Sequence, residues 1–265
     1  MTLITRRRAL IGSGAGLLLS GCSKILQADA LTGSPSFLRV LAAAEGWTRA
    51  SQRFLLSGGA MAQEFKASDI SPRFRANGTL NPGGEDYDRN VAESFVNWRL
   101  KIDGMVAHPL LLSVADLRKL PSRSQITRHD CVEGWSAIGG WAGTPLALLL
   151  KAADVLPGAK YVVFHCADNL DGEPSKGGEQ SPGQYYESLA LVDALHPQTL
   201  IAYDMNGEPL DVAHGAPLRL RVERQLGYKH AKYVQRIEVV SDFRHISGGH
   251  GGYWEDRGYE WYAGI

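Results

Sequence analysis

Period-two alternation of apolar and polar residues first appears at Trp98, where Trp98, Leu100 and Ile102 share one face and Gly104 ends the run. This predicts a strand that opens a main domain. The same reading places strands at Ile126–Asp130, running into Cys131, and at Tyr161–Cys166, Leu200–Asp204, Leu218–Val222 and Tyr233–Val240. Asn206-Gly207 is a strong turn signal after the Leu200–Asp204 run. Ser113 is an expected N-cap for a helix over Val114–Leu120 that Pro121 stops, and Thr144-Pro145 opens a helix over Leu146–Ala153. Residues 37–57, with Phe37, Leu38, Val40, Leu41, Trp47, Phe54 and Leu55, predict an interrupted amphipathic helix, and residues 71–90 an irregular loop. Strands and helices are interspersed without a strict βαβ rhythm, so the expected class is α+β with a mixed sheet. The Gly/Pro/Ser/Glu-rich stretch Asp171–Gly183 reads as a loop that rims a site or simply covers surface.

The N-terminus follows a different pattern. Thr5-Arg6-Arg7-Arg8-Ala9-Leu10 precedes an apolar run, Ile11–Leu19, that is too short and glycine-rich to span a bilayer stably. It resembles a twin-arginine export signal with Ala9 at the usual Phe position; an ordinary secretory signal with a basic start is the alternative. Leu19-Ser20-Gly21-Cys22 resembles a bacterial lipobox, which makes Cys22 the lipidated residue. Each buried acyl CH₂ contributes about 0.8 kcal/mol to such an anchor. The expected division is a signal at 1–21, a linker and helical extension at 22–84, and the main domain at 85–265. The expected location is the periplasmic side of a bacterial membrane, held there by lipid. Twin-arginine export carries folded proteins, which points to a cofactor inserted beforehand.

The 265 residues are 44% hydrophobic and 21% charged, which suits one large domain or two closely packed ones. Basic and acidic residues number 28 each. Removal of Arg6, Arg7 and Arg8 leaves 25 against 28, about −3, and no electrostatic footprint for nucleic acid.

With Cys22 set aside, Cys131 and Cys166 remain, in a compartment that oxidises exposed thiols. They form a disulfide, or at least one is protected. Cys131 as a nucleophile with His129, His165 or His214 as base is one alternative chemistry. A zinc or copper site drawn from His129, Cys131, His165, Cys166 and the region ending at His250 is another. A lipoprotein that keeps the fold only as a binding module is a third.

The segment Arg128-His129-Asp130-Cys131-Val132-Glu133-Gly134-Trp135 resembles the molybdenum-ligating cysteine segment of the sulfite oxidase family, closest to its bacterial periplasmic reductase branch. Gly140-Trp141-Ala142-Gly143-Thr144-Pro145-Leu146 continues the likeness. His214-Gly215-Ala216-Pro217-Leu218-Arg219 followed by Gly227-Tyr228-Lys229-His230-Ala231-Lys232-Tyr233 is similar to the family's pterin-binding signature. The resemblance covers roughly residues 85–260 and implies a sulfite oxidase-type fold, a molybdopterin cofactor and Cys131 as its metal ligand. Arg219 and Lys232 suit the pterin's phosphate, and His230 and Ala231 would offer main-chain donors.

Further matches imply further roles. Tyr87-Asp88-Arg89-Asn90 resembles the family's Arg-Asn pair, so Asn90 would approach the pterin and Arg89 would clamp an oxyanion substrate. Val91 replaces the His usual in sulfite oxidases. Tyr185, in Tyr185-Tyr186-Glu187-Ser188, matches a tyrosine near the metal's labile oxygen, and Cys166 falls where the reductase branch often has Thr beside the metal.

The implied reaction is two-electron oxygen-atom transfer on a small S- or N-containing substrate, with the protein holding the cofactor and orienting the substrate. Glu133, Gly134 and Trp135 stand where sulfite oxidases carry further basic residues, and Trp135 and Trp141 imply a more aromatic mouth, as for S-oxide reduction. No Cys-x-x-Cys-His haem motif is present, so the expected electron partner is a separate cytochrome or membrane haem subunit.

Overall fold

The computed structural model describes residues 59–172 and 181–265, together with the single positions Ala43, Gly46 and Trp47. The signal, Cys22 and, apart from those three positions, the 37–57 segment lie outside the described residues, as does the centre of the 171–183 loop. Gly58–Ile265 forms one compact unit, and residues 59–84 belong to it. No helix among the described residues is long and apolar enough to cross a membrane.

Two sheets carry the fold. The first orders β1 (Leu100–Gly104), β2 (Leu110–Leu112), β5 (Tyr161–Asn169), β6 (Gln184–Ala190) and β10 (Val234–Val240) as β2-β1-β10-β5-β6. It is mixed: β1 and β10 are parallel, and the other pairs are antiparallel. The second orders β3 (Arg123–Asp130), β4 (Ser136–Pro145), β7 (Thr199–Met205) and β8 (Glu208–Pro209) antiparallel, with β9 (Arg219–Val222) also on β7. The β7–β8 connection is the expected tight turn: Asn206 and Gly207 have φ of 52° and 88°, the left-handed pair such a hairpin requires.

The strands read from alternation are all present, several of them longer than their sequence signal. β2, β4, β6 and the two-residue β8 were not expected as strands. β4 contains Gly139, Gly140 and Pro145, residues that normally punctuate strands. Its register holds because Ser136–Gly143 pair with β3 and Trp141–Pro145 pair with β7, so that Trp141, Ala142 and Gly143 are held from both sides.

Four helices accompany the sheets: α1 (Glu85–Ala92), α2 (Val114–Lys119), α3 (Leu146–Ala153) and α4 (Leu191–Ala194). Ser113 caps α2 as expected. Its Oγ accepts from the Asp116 amide at 3.0 Å, and the Asp116 carboxylate accepts from the Ser113 amide at 3.1 Å. α1 replaces the end of the expected 71–90 loop. Glu85, Asp86 and Asp88 in its first turn complement the helix dipole, and Tyr87 anchors it in the core.

Val162, Val163, Phe164, Leu189, Ile237 and Val239 of β5, β6 and β10 share one buried cluster with Leu146, Leu149 and Leu150 of α3. This forms the main core. The inward face of β3 is polar: Gln125, Thr127 and His129 are buried while Ile126 is only half-buried. The reason is a buried charge network behind it, in which Gln125 Nε2 donates to Glu223 Oε1 at 2.9 Å and to the Gln198 carbonyl at 3.0 Å.

Candidate active site

Cys131 sits immediately beyond β3, at the start of the tight turn into β4. The Gly134 amide donates to the Cys131 carbonyl at 3.0 Å, and the Cys131 amide donates to the Trp135 carbonyl at 2.9 Å. Burial pushes the thiol pKa up, opposed by the backbone N–H groups of Val132 and Glu133 directed at the sulfur. Cys131 and Cys166 are both free, so the disulfide alternative does not hold.

Cys131 opens on a cavity of about 180 Å³ that also receives Tyr185, Asp168, His230 and Lys232. Asn77, Gly78 and Thr79, from the irregular segment ahead of α1, form another side, and Leu170, Trp254 and Tyr259 make an apolar and aromatic wall. Gly227 closes the back: a side chain there would meet His129 Nε2 at 2.5 Å, so only glycine allows the two segments to approach.

Of the basic residues of the pterin-like signature, Lys232 lines the cavity, whereas Arg219 does not and reaches the lining only through Asn77. Arg219 is fully buried, and its contacts are long: Nη1 to the His214 carbonyl at 3.3 Å and Nη2 to Asn77 Oδ1 at 3.5 Å. Its Nε has no hydrogen-bond partner. Burial, and then the charge of Arg221, lower its pKa to about 9. Lys232 Nζ donates to the Thr79 carbonyl and, at 2.9 Å, to the Ala213 carbonyl. Burial, and then Arg219, lower it to about 7.

His230 Nε2 lies 3.0 Å from the Gln225 carbonyl, which fixes that nitrogen as the protonated one, and Nδ1 has no partner. Burial holds His230 neutral. Ala231 is buried beside it, and its carbonyl accepts from the Leu220 amide at 2.8 Å. His214 is fixed by Asp211 Oδ1 at 2.8 Å and the Phe74 carbonyl at 3.2 Å, and its own carbonyl is the one that meets Arg219.

The other sequence-derived residues are more dispersed. The Tyr185 hydroxyl donates to the Tyr228 carbonyl at 2.6 Å, and its ring stacks on Tyr253. Cys166 is fully buried in the core and does not line the cavity. Arg89 is exposed on α1 and paired with Asp86, and Asn90 is half-buried on the same helix; neither lines the cavity.

Sequence reasoning missed Asp168, the Asn77–Thr79 segment and a second buried arginine. Arg221 is held by Glu223 at 2.6 and 2.9 Å and points Nη1 at His129 Nδ1, 3.1 Å away. Acceptance from Arg221 leaves the proton of the neutral His129 ring on Nε2. The one lone pair of the His129 ring is thus taken by Arg221, which removes His129 as a base for Cys131. Among the described residues no group of three or more His, Cys, Asp or Glu converges in metal-binding geometry, so a zinc or copper centre made from protein ligands alone has no site there.

The family description "Oxidoreductase molybdopterin binding domain" matches residues 88–245. The chain belongs to this family of sulfite oxidase-type, molybdopterin-dependent oxidoreductases, and its α+β fold and cofactor are those of the family. It is 36% identical over 248 residues to a protein-methionine-sulfoxide reductase subunit by name, YedZ1, of Azospira oryzae, a match over 93% of this chain and 82% of that one. It is 40% identical over 148 residues to the protein-methionine-sulfoxide reductase catalytic subunit MsrP of Gluconobacter oxydans, a match over 54% of this chain and 47% of that one, so it spans about half of that relative's length. The solved sulfane dehydrogenase SoxCD from Paracoccus pantotrophus is similar with a TM-score of 0.48 and 24% identity, over 55% of this chain and 39% of that chain.

The residues present fit the cofactor. A thiol at the mouth matches a metal ligand, and Arg219 and Lys232 match a terminal phosphate. The unpartnered Arg219 Nε and His230 Nδ1 offer a donor and an acceptor to polar ring edges.

Proposed function

We propose that this chain is the exported, molybdenum-bearing subunit of an S-oxide reductase. When bound, the molybdenum–pterin supplies two-electron oxygen-atom transfer, with Cys131 as its thiolate ligand. Arg219, Lys232, His230 and Ala231 hold the pterin, with His214 positioning Arg219. Tyr185 forms part of the wall against which substrate rests.

One observation carries the choice of substrate: Glu133 lines the cavity mouth two residues beyond Cys131, fixed by Trp135 Nε1 at 3.0 Å with Arg75 3.6 Å away. A carboxylate there repels sulfite and tolerates a neutral S-oxide. Leu170, Trp254 and Tyr259 provide an apolar surface for the carbon substituents on sulfur. The names of two relatives, both methionine-sulfoxide reductase subunits, agree.

Twin-arginine export, lipidation at Cys22 and a periplasmic location complete the reading, and a separate haem protein is the electron donor. The test is elemental and pterin analysis of protein expressed with its own N-terminus, alongside Cys131→Ala. Wild type should carry near-equimolar molybdenum and oxidise a reduced viologen with methionine sulfoxide but not oxidise sulfite. Metal-free wild type, or a Cys131→Ala variant with unchanged molybdenum, sinks the reading.

A further inference from the structure

Asp168 belongs to β5 and lines the cavity beside Cys131, Tyr185 and Lys232 while only 4% exposed. Its Oδ1 has no hydrogen-bond partner. Buried carboxyl groups are normally committed on both oxygens, so an unpartnered one facing a cavity beside a metal-ligand thiol marks a functional position.

Three other proton-bearing groups there, Tyr185, His230 and Lys232, are engaged. The Tyr185 hydroxyl is held by the Tyr228 carbonyl. His230 keeps its proton on the nitrogen facing Gln225. The Lys232 ammonium donates to two carbonyls. Burial raises the Asp168 pKa to about 6, opposed by the Thr79 side chain and the Lys232 charge. The titratable groups that face it are Lys232, Tyr87, Tyr185, Tyr233, Tyr253 and Cys166. Of these, Lys232 alone changes its charge near neutral pH.

We propose that Asp168 is the general acid of the site, protonating the oxygen that leaves the substrate as water; this role rests on the S-oxide reading above. Reduction of an S-oxide to a thioether consumes two electrons and two protons. The sulfur–oxygen bond breaks, sulfur keeps the electron pair, and oxygen leaves as water with both protons. The electrons come from a reduced haem protein. Asp168 delivers the protons in turn and recovers one from solvent between deliveries.

The experiment compares full-length wild-type, Asp168→Asn and Asp168→Glu holoenzymes, with metal and pterin content, ¹³C-carboxyl NMR titration and the pH profile of kcat as readouts. In wild type a carboxyl should titrate at about 6, and kcat should fall as pH rises through that value. Asp168→Asn should keep its cofactor and KM, lose that titration and the fall in kcat, and lose about 100-fold in kcat at low pH. Asp168→Glu should recover part of the rate. An Asn variant with wild-type kcat and pH profile overturns the role, and one that sheds pterin makes Asp168 a cofactor contact instead. A wild type that reduces no S-oxide overturns the substrate reading and the role together, whereas a wild type that works beside an unaffected Asn variant overturns the role alone.

Discussion

Arg219 and Arg221 lie two residues apart on β9, are both fully buried, and both stack on Trp141, with their guanidinium carbons 5.2 and 4.1 Å from its centroid. Their partners differ. Arg221 has a two-point ion pair with Glu223 and a third contact with His129. Arg219 has no carboxylate, only two long contacts to neutral oxygens, and an unpartnered Nε. Burial of an unpaired cation costs stability, which a merely structural residue would not retain. The comparison separates a cation that holds the fold together from one suited to an external anion, and the cofactor's phosphate is such an anion.

The largest effect that tests this contrast is expected at Glu223. Glu223→Gln strands the Arg221 charge in the interior and should lower unfolding stability by about 3–5 kcal/mol in urea titration. Arg219→Met should do the opposite in cofactor-free protein, a gain of about 1 kcal/mol, because it removes a charge with no counter-ion. The same variant should lose pterin during purification, and Arg219→Lys should not restore it, since a point charge lacks the guanidinium fork. Equal destabilisation by Glu223→Gln and Arg219→Met would erase the distinction.

The pH dependence of cofactor-free stability sharpens it. Lys232 has its folded pKa lowered to about 7 from 10.5, so between those values the unfolded chain binds more protons and stability rises with pH. Asp168 has its folded pKa raised to about 6 from 3.8, so the folded chain binds more protons in that window and stability falls as pH rises through it. Buried neutral His129 and His230 raise stability with pH up to about 6.5, so the two contributions are read as differences between wild type and each variant in the urea midpoint. Lys232→Met should remove a rise between about pH 7 and 9, below the range where Arg219 adds its own, and Asp168→Asn should remove a fall between 3.8 and about 6. The smallest effect is expected far from either arginine: Ser113→Ala removes the α2 cap, costs about 1 kcal/mol, and leaves pterin content unchanged.

What could be read from the chain depended on how local its cause was. β1, α2 and α3 follow from alternation, a capping serine and a proline within a few residues, and they stand where expected. α1 has little apolar stripe beyond Tyr87, which packs with Tyr233 and Ala167 and donates its hydroxyl to the Ala216 carbonyl at 2.6 Å. No local signal announces that. Cys131, Arg219 and Lys232 were legible because they sit in contiguous motifs. Asn77–Thr79 contributes mainly backbone, as in the Thr79 carbonyl that receives both Lys232 and the Tyr233 hydroxyl, and leaves no signature in side-chain identity. The buried network around Arg221 did leave one: charged residues at 219, 221 and 223 alternate on a single strand face, a pattern that would be unfavourable unless the charges were paired or used.

The cavity draws on both sheets. Asp168 and Tyr185 come from β5 and β6 of one, Cys131 from the end of β3 in the other, and residues 223–233 cross between them carrying His230 and Lys232. Contacts between such distant stretches of chain form late in folding, after the entropy of closing long loops has been overcome. The pterin contacts proposed above come from both sheets, so on that reading capture of the cofactor and completion of the fold are coupled events. A pore that threads extended chain would undo that coupling. The twin-arginine route proposed for the N-terminus, which carries folded cargo, is the one that preserves it.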